Sequence, residues 1–199
     1  TASSEKVLMV STFANKVLAA RGEKIFSSAS TELAISISSS TGMTGSGTIT
    51  VDSTSGFSSS GTLQIESEIF TYTGVTSTTF TGVTRATAST TAAAHIINTI
   101  VSESWTEIDT GRTSAGKYNF ERFNFDGNDK IIFVDGDNAP VVFNTSLSAT
   151  DVSASSVAGS KFVAVYRNHM FYAGKSTTPQ ELVFSVPFDE DDFTSGSGA

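Results

Sequence analysis

Cysteine is absent from the chain, which removes disulfides and thiolate metal ligands from consideration. Proline occurs three times and glycine sixteen times among 199 residues, too sparsely for a collagen-like or proline-rich segment. No apolar run approaches the roughly 18 residues of a membrane-spanning helix. The first ten residues, TASSEKVLMV, lack the basic start and apolar core of a secretory leader. Cations are also scarce, with 12 Lys and Arg against 20 Asp and Glu, a formal charge of −8. Such a balance disfavours broad contact with nucleic-acid phosphates or an anionic membrane surface.

What is present favours strands. Hydrophobic residues make up 38% of the chain, below the roughly 45–50% of typical globular proteins. Ser and Thr fill much of the gap, and both suit strands and turns better than helix interiors. Fifteen Phe supply bulky core anchors beside one Trp and four Tyr.

One hairpin plan recurs three times, in FANKVLAARGEKIFSS (13–28), FDGNDKIIFVDGDNAPVVFNT (125–145) and YRNHMFYAGKSTTPQELVFSV (166–186). Each has an aromatic before a polar turn, then an apolar run (KVLAA, KIIFV, HMFYA). A glycine follows (Gly22, Gly136, Gly174), and a second apolar strand closes the unit. Asn and Gly tolerate the positive φ that tight hairpins demand. A lone hairpin is marginal in water, so repeated ones are expected to pack side by side. Radial packing predicts a propeller-like array, and three units fall short of the roughly four to eight blades that close one. Phe13, Val17 and Ala20 also lie at helical spacing, but Arg21-Gly22 divides two short apolar runs and favours strand–turn–strand.

Between the first and second units the character changes. Residues 47–101 alternate at Ile49 and Val51, at Leu63 and Ile65, and again from Ile69 to Tyr72, with glycines at turn-like intervals. They read as a compact β module of four or five strands, inserted into the hairpin body. ASTTAAAHIINTIV (88–101) fits a helix and a turn entering a strand equally well. The predicted organisation is all-β: a first hairpin unit over 1–33, an inserted small β domain with a Ser/Thr/Gly-rich linker over 34–101, and the remaining hairpin units over 102–199.

Candidate chemical groups are weak. Asp189, Glu190, Asp191 and Asp192 lack the spacing of a calcium loop and read as a solvated acidic loop. Asp126, Asp129, Asp135 and Asp137 fit turn chemistry. His95 and His169 sit in apolar stretches that favour structural roles, and no Gly-x-Ser-x-Gly elbow accompanies them. TGMTGSGT (41–48) lacks the Gly-Lys-Ser/Thr ending of a phosphate loop and reads as a linker. Glu66 and Glu68 fall on one strand face, taken as exposed, and Arg85 and Lys161 as surface or edge cations. Phe120, Phe123 and Phe125 read as core rather than as a ligand-binding strip. No residue is assigned a catalytic, cofactor-binding or metal-binding role.

Two stretches resemble a known group. KFVAVYRNHMFYAGKSTTPQELVFSVPFDEDDF (161–193) resembles bacteriophage tail proteins of the stabilisation or nozzle type, through its aromatic–Arg–Asn turn, Ala173-Gly174, Pro179, Leu182, Phe184, Ser185 and the acidic DF. Residues 117–146 are similar to the preceding blade of such proteins. The module resembles a small β domain of phage structural proteins, through Gly56-Phe57, Gly61, Glu68-Ile69, Tyr72, Val83, Arg85 and His95. Here Ala86 stands where a Gly usually follows the Arg, and the Gly-Thr before the His is missing. The resemblance implies a non-enzymatic virion protein without cofactor, in the phage tail. It would form a ring of identical copies beside neighbouring tail proteins and continue a DNA conduit, with no membrane insertion. The alternatives are a receptor- or glycan-binding adhesin module and a head-decoration protein.

Overall fold

A computed structural model describes residues 5–113, 116–125 and 127–194. The chain is all-β, and the described residues contain no helix. The strands are β1 (Val7–Phe13), β2 (Lys16–Arg21), β3 (Lys24–Ser28), β4 (Ser30–Glu32), β5 (Thr44–Thr50), β6 (Gly61–Ile65), β7 (Glu68–Tyr72), β8 (Gly74–Val75), β9 (Thr79–Thr84), β10 (Ile100–Glu103), β11 (Thr106–Thr110), β12 (Asn119–Phe125), β13 (Asn128–Val134), β14 (Val141–Asn144), β15 (Ala149–Asp151), β16 (Phe162–Tyr166), β17 (His169–Ala173) and β18 (Leu182–Phe184).

Two compact units result. One takes Asn15–Val17 and Ser27–Thr106; the other takes the described residues of Thr1–Ala14, Leu18–Phe26 and Glu107–Ala199. Composition placed the module's start at residue 34, but β4 pairs with β10, so Ser30–Glu32 belong to the module's sheet.

The second unit holds three meander sheets: β1-β2-β3-β11, β12-β13-β14-β15 and β16-β17-β18. The three recurring aromatics, Phe13, Phe125 and Tyr166, each end the first strand of a sheet. Ala14-Asn15 and Arg167-Asn168 then turn with positive φ at both residues, as two-residue hairpin loops require. The middle turn is bracketed by the Phe125–Asn128 pair and carries Gly127 at φ 78°. Each apolar run becomes the second strand (β2, β13, β17), and each closing run the third (β3, β14, β18).

Alternation then gives the middle sheet two buried faces. Ile131, Phe133, Val141 and Phe143 pack with Met9, Phe13, Leu18 and Ile25 of the first sheet. Phe123, Phe125, Ile132 and Val142 pack with Met170 and Tyr172 of the third. Burying both faces explains why β13 ends in four consecutive buried residues, Ile131–Val134, rather than an alternating pattern.

The module's sheet runs β4-β10-β6-β7-β9-β5, with β8 beside β9. Its core includes Leu33, Ile49, Val51, Leu63, Ile65, Phe70, Tyr72, Phe80 and Val83. Residues 41–48 are not a linker: Thr44–Thr50 form β5, which pairs with β9 through register shifts around Gly47. The segment 88–99 is irregular and enters the strand β10, so the turn-into-strand alternative holds there.

Candidate functional site

The module's most organised chemistry lies beneath the β6–β7 hairpin. Ile65 pairs with Glu68, leaving Glu66-Ser67 as the loop, and Glu66 has φ 52°. From there β7 alternates, and Glu68, Phe70 and Tyr72 all point inward. Arg85 follows β9 in the same inward phase as Val83. His95 bridges to Ile37, exchanging both backbone hydrogen bonds at 2.8 and 2.9 Å. Three side chains from distant parts of the chain thus meet. Glu68 is 0% exposed, Arg85 7% and His95 1%.

The hydrogen bonding is close to complete. Arg85 donates Nε to Glu68 Oε1 and Nη2 to Oε2, both at 2.8 Å, a bidentate pair. Nη1 donates to the carbonyls of Ser38 (2.8 Å) and Thr41 (3.0 Å), and Nη2 to that of Ala93 (2.6 Å). All five guanidinium donors are therefore used. Glu68 also accepts from the amides of Ala86 (3.1 Å) and Ala93 (2.9 Å). His95 Nε2 lies 2.9 Å from Glu68 Oε2, and Nδ1 lies 2.8 Å from Glu66 Oε2. Each ring nitrogen of His95 thus has a carboxylate oxygen within hydrogen-bond distance. Phe70 lies against the cluster, 5.6 Å from the guanidinium and 5.9 Å from the imidazole.

Burial alone would push Glu68 up. The hydrogen bonds from Arg85, the Ala93 amide and His95 outweigh it and bring its pKa down from 4.5 to about 2. The same bonds from Glu68 raise Arg85 above its ordinary value. The cluster thus ties three irregular stretches, around Ser38–Thr41, Ala86 and Ala93–His95, to one central strand. Glu66 reaches solvent, where it lines an open depression of about 410 Å³ with Gln64, Thr99, Ile100 and Ser102.

These positions correct two expectations. Glu66 and Glu68 do not share an exposed face, because Glu66 stands in the hairpin loop and Glu68 begins β7 pointing into the core. Arg85 is a buried ion-pair partner rather than a surface cation. The available signal was phase: Glu68 keeps step with Phe70 and Tyr72. Glu103 went unnoticed for the same reason, being in step with Val101. It accepts from Lys16 Nζ (2.7 Å) and the Ser58 amide (3.0 Å), and these outweigh burial to lower its pKa.

The other candidates are dispersed. Asp189 accepts from the amides of Asp191 and Asp192, Glu190 pairs with Lys130, and Asp191 holds Ser153. The loop is thus fastened rather than simply solvated. Among the described residues, no group of three or more His, Asp or Glu could hold a metal ion. Asp135 is buried and accepts from Asp137 and Asn138, while Asp129 accepts from Asn124. Asp126 lies outside the described residues. His169 donates Nδ1–H to the Ser185 carbonyl, and Lys161 is exposed. Phe123 and Phe125 are core, whereas Phe120 is 41% exposed and meets Phe133 edge-on.

Comparison with protein-family models, curated proteins and solved structures finds no match to the chain.

Proposed function

We propose that the chain is a non-enzymatic structural component of a tailed-phage virion, a tail protein of the nozzle or stabilisation type that helps form the DNA conduit. The observation that carries this reading is the stack of three meander sheets built on one plan, with the middle sheet buried on both faces. Such a stack is the local arrangement of propeller blades. The module is then an insertion into the first blade, because β11 takes its place beside β3 after the module's strands have intervened. Glu68, Arg85 and His95, which carry the module's likeness to a small phage β domain, join in one cluster, and that convergence supports the likeness. A net charge of −8 suits a conduit wall that repels DNA phosphates instead of binding them.

Antibodies raised against the chain should label the tails of particles of the encoding phage at one axial level. Purified particles that carry no label would sink the proposal.

A glycan-binding role has one observation in its favour, Trp105, which is 54% exposed. Elsewhere in the module the exposed large apolar residues are Ile35, Ile96, Ile97 and Ile100, whereas Phe70, Tyr72 and Phe80 are buried. Stacking platforms for sugars need exposed rings, so this distribution supports the structural reading.

A further inference from the structure

Acids outnumber bases in the chain by 20 to 12, so a lysine with no carboxylate beside it stands out. Among the described residues, Lys16, Lys24, Lys130 and Lys175 each pair with a carboxylate. Lys6, Lys117 and Lys161 pair with none, and the last two line one cleft of about 430 Å³. Its lining joins two of the stacked sheets. Asn119 and the 135–137 turn come from the middle sheet, and Lys161 and Phe162 from the start of the third.

Backbone packing fixes the positions of these groups. Gly136 has φ 88°, and a Cβ there would come within 2.9 Å of Lys161 Cγ, so the lysine stem lies over bare backbone. A Cβ at Gly174 would meet the Phe162 ring at 2.7 Å. Two of the three glycines that recur in the hairpin plan thus seat a cation and a ring of the cleft. Asn119 donates Nδ2–H to the Lys161 carbonyl (2.7 Å), which leaves its Oδ1 to accept. Asp135 is buried, and its oxygens are taken by the amides of Asp137 and Asn138 and by Asn138 Nδ2. Asp137 is exposed, and Phe162 is 59% exposed.

We propose that this cleft binds a uronic acid residue, a sugar ring that carries one carboxylate. Each lining group has a counterpart in that ligand. The two ammoniums meet the carboxylate in charge-assisted hydrogen bonds. Asp137 and Asn119 Oδ1 accept from ring hydroxyls, and the apolar face of the sugar lies on Phe162. A ligand with several negative charges, such as a polyphosphate or a nucleic acid, fits worse, because Asp135 and Asp137 set two carboxylates against the two ammoniums. An uncharged sugar leaves both ammoniums unmatched. The cleft belongs to the stacked sheets and not to the module that carries Trp105, and the inference does not rest on the virion reading. Both lysines are exposed and screened by solvent, so the affinity is modest and falls with salt.

Trigalacturonate and its methyl ester separate the charge from the ring, and amide chemical shifts in the full chain report where each binds. At low salt the free acid should bind with Kd on the order of 1 mM and shift the amides of 116–119, 135–137 and 161–162. The ester should bind about tenfold more weakly. Lys117→Gln and Lys161→Gln keep the side-chain stems, and each should weaken the free acid by about fivefold or more while leaving the ester unchanged. Phe162→Ala should weaken both ligands alike. Should Lys161→Gln disturb the packing over Gly136, Lys117→Gln carries the same test from an exposed position. No shift at these amides, equal binding of acid and ester, or undiminished binding of the acid by the lysine variants would overturn the proposal. Inorganic phosphate that binds there as tightly as trigalacturonate would overturn the assignment of a sugar.

Discussion

Glu68 and Phe133 hold equivalent places in the two units. Each points inward from a central strand, and each is at most 1% exposed. In the stacked sheets the position is filled by a ring that packs against Phe143 and Phe120. In the module it is filled by a carboxylate held by Arg85, His95 and two amides. The difference follows from what each unit must hold in place. The stacked sheets join most neighbouring strands by short turns, and contact between apolar faces is enough to hold them. The module carries irregular chain at 33–43 and 85–99. Such segments bring backbone carbonyls and amides into the interior that no ladder satisfies. A buried Arg–Glu pair satisfies several of them at once.

The largest effect expected is that of Arg85→Ala. It removes the Glu68 carboxylate's cationic partner and the guanidinium donors to the carbonyls of Ser38, Thr41 and Ala93, and breaking a buried pair costs about 3–5 kcal/mol. Hydrogen exchange should rise in peptides covering 38–43 and 85–99 while β12–β15 keep their protection. A uniform loss across both units would erase the distinction between them.

Phe133→Ala should cost about 3–5 kcal/mol, nearer the lower end if the sheets close over the cavity. Here the exchange pattern should reverse, with the stacked sheets opening and the module unchanged.

Acid separates the units without mutation. Glu68 is held at about 2 against 4.5, so its contribution is complete above about pH 4.5 and is lost as the pH falls towards 2. Exchange or proteolysis between pH 5 and pH 2 should therefore release the module's irregular segments, whereas the apolar contact between β13 and β1–β3 has no carboxylate to titrate. Simultaneous release of both would show that the ionic cluster does not govern the module's acid response.

The smallest effect is expected for Phe184→Ala, about 1 kcal/mol, since the ring is 36% exposed. A loss as large as that of Phe133→Ala would mean that the ring is covered.

Much of the stack was legible in the sequence because its signals are local. Asn15, Gly127 and Asn168 tolerate positive φ, and a two-residue turn sets the register of the strands on either side. The strand that residues 44–50 form was hidden because Gly and Ser carry no alternating pattern, and β9 supplies the pairing that shapes them. The ionic cluster was hidden for a different reason. Glu68 keeps step with Phe70 and Tyr72, but a charge in phase with a core face is accommodated there only once Arg85 and His95 are brought beside it.

The sequence by itself determined the strand-forming composition, the three turns and the alternation within each strand, since these depend on φ preferences and on neighbours one or two residues away. Only the tertiary structure decided which charges are buried, because Glu68, Arg85 and His95 meet through strand pairing and the Ile37–His95 bridge, across 17 to 27 residues of chain. It likewise decided which apolar faces are covered. The runs in β13 and β17 look alike, and burial on one side or two depends on whether another sheet lies against them.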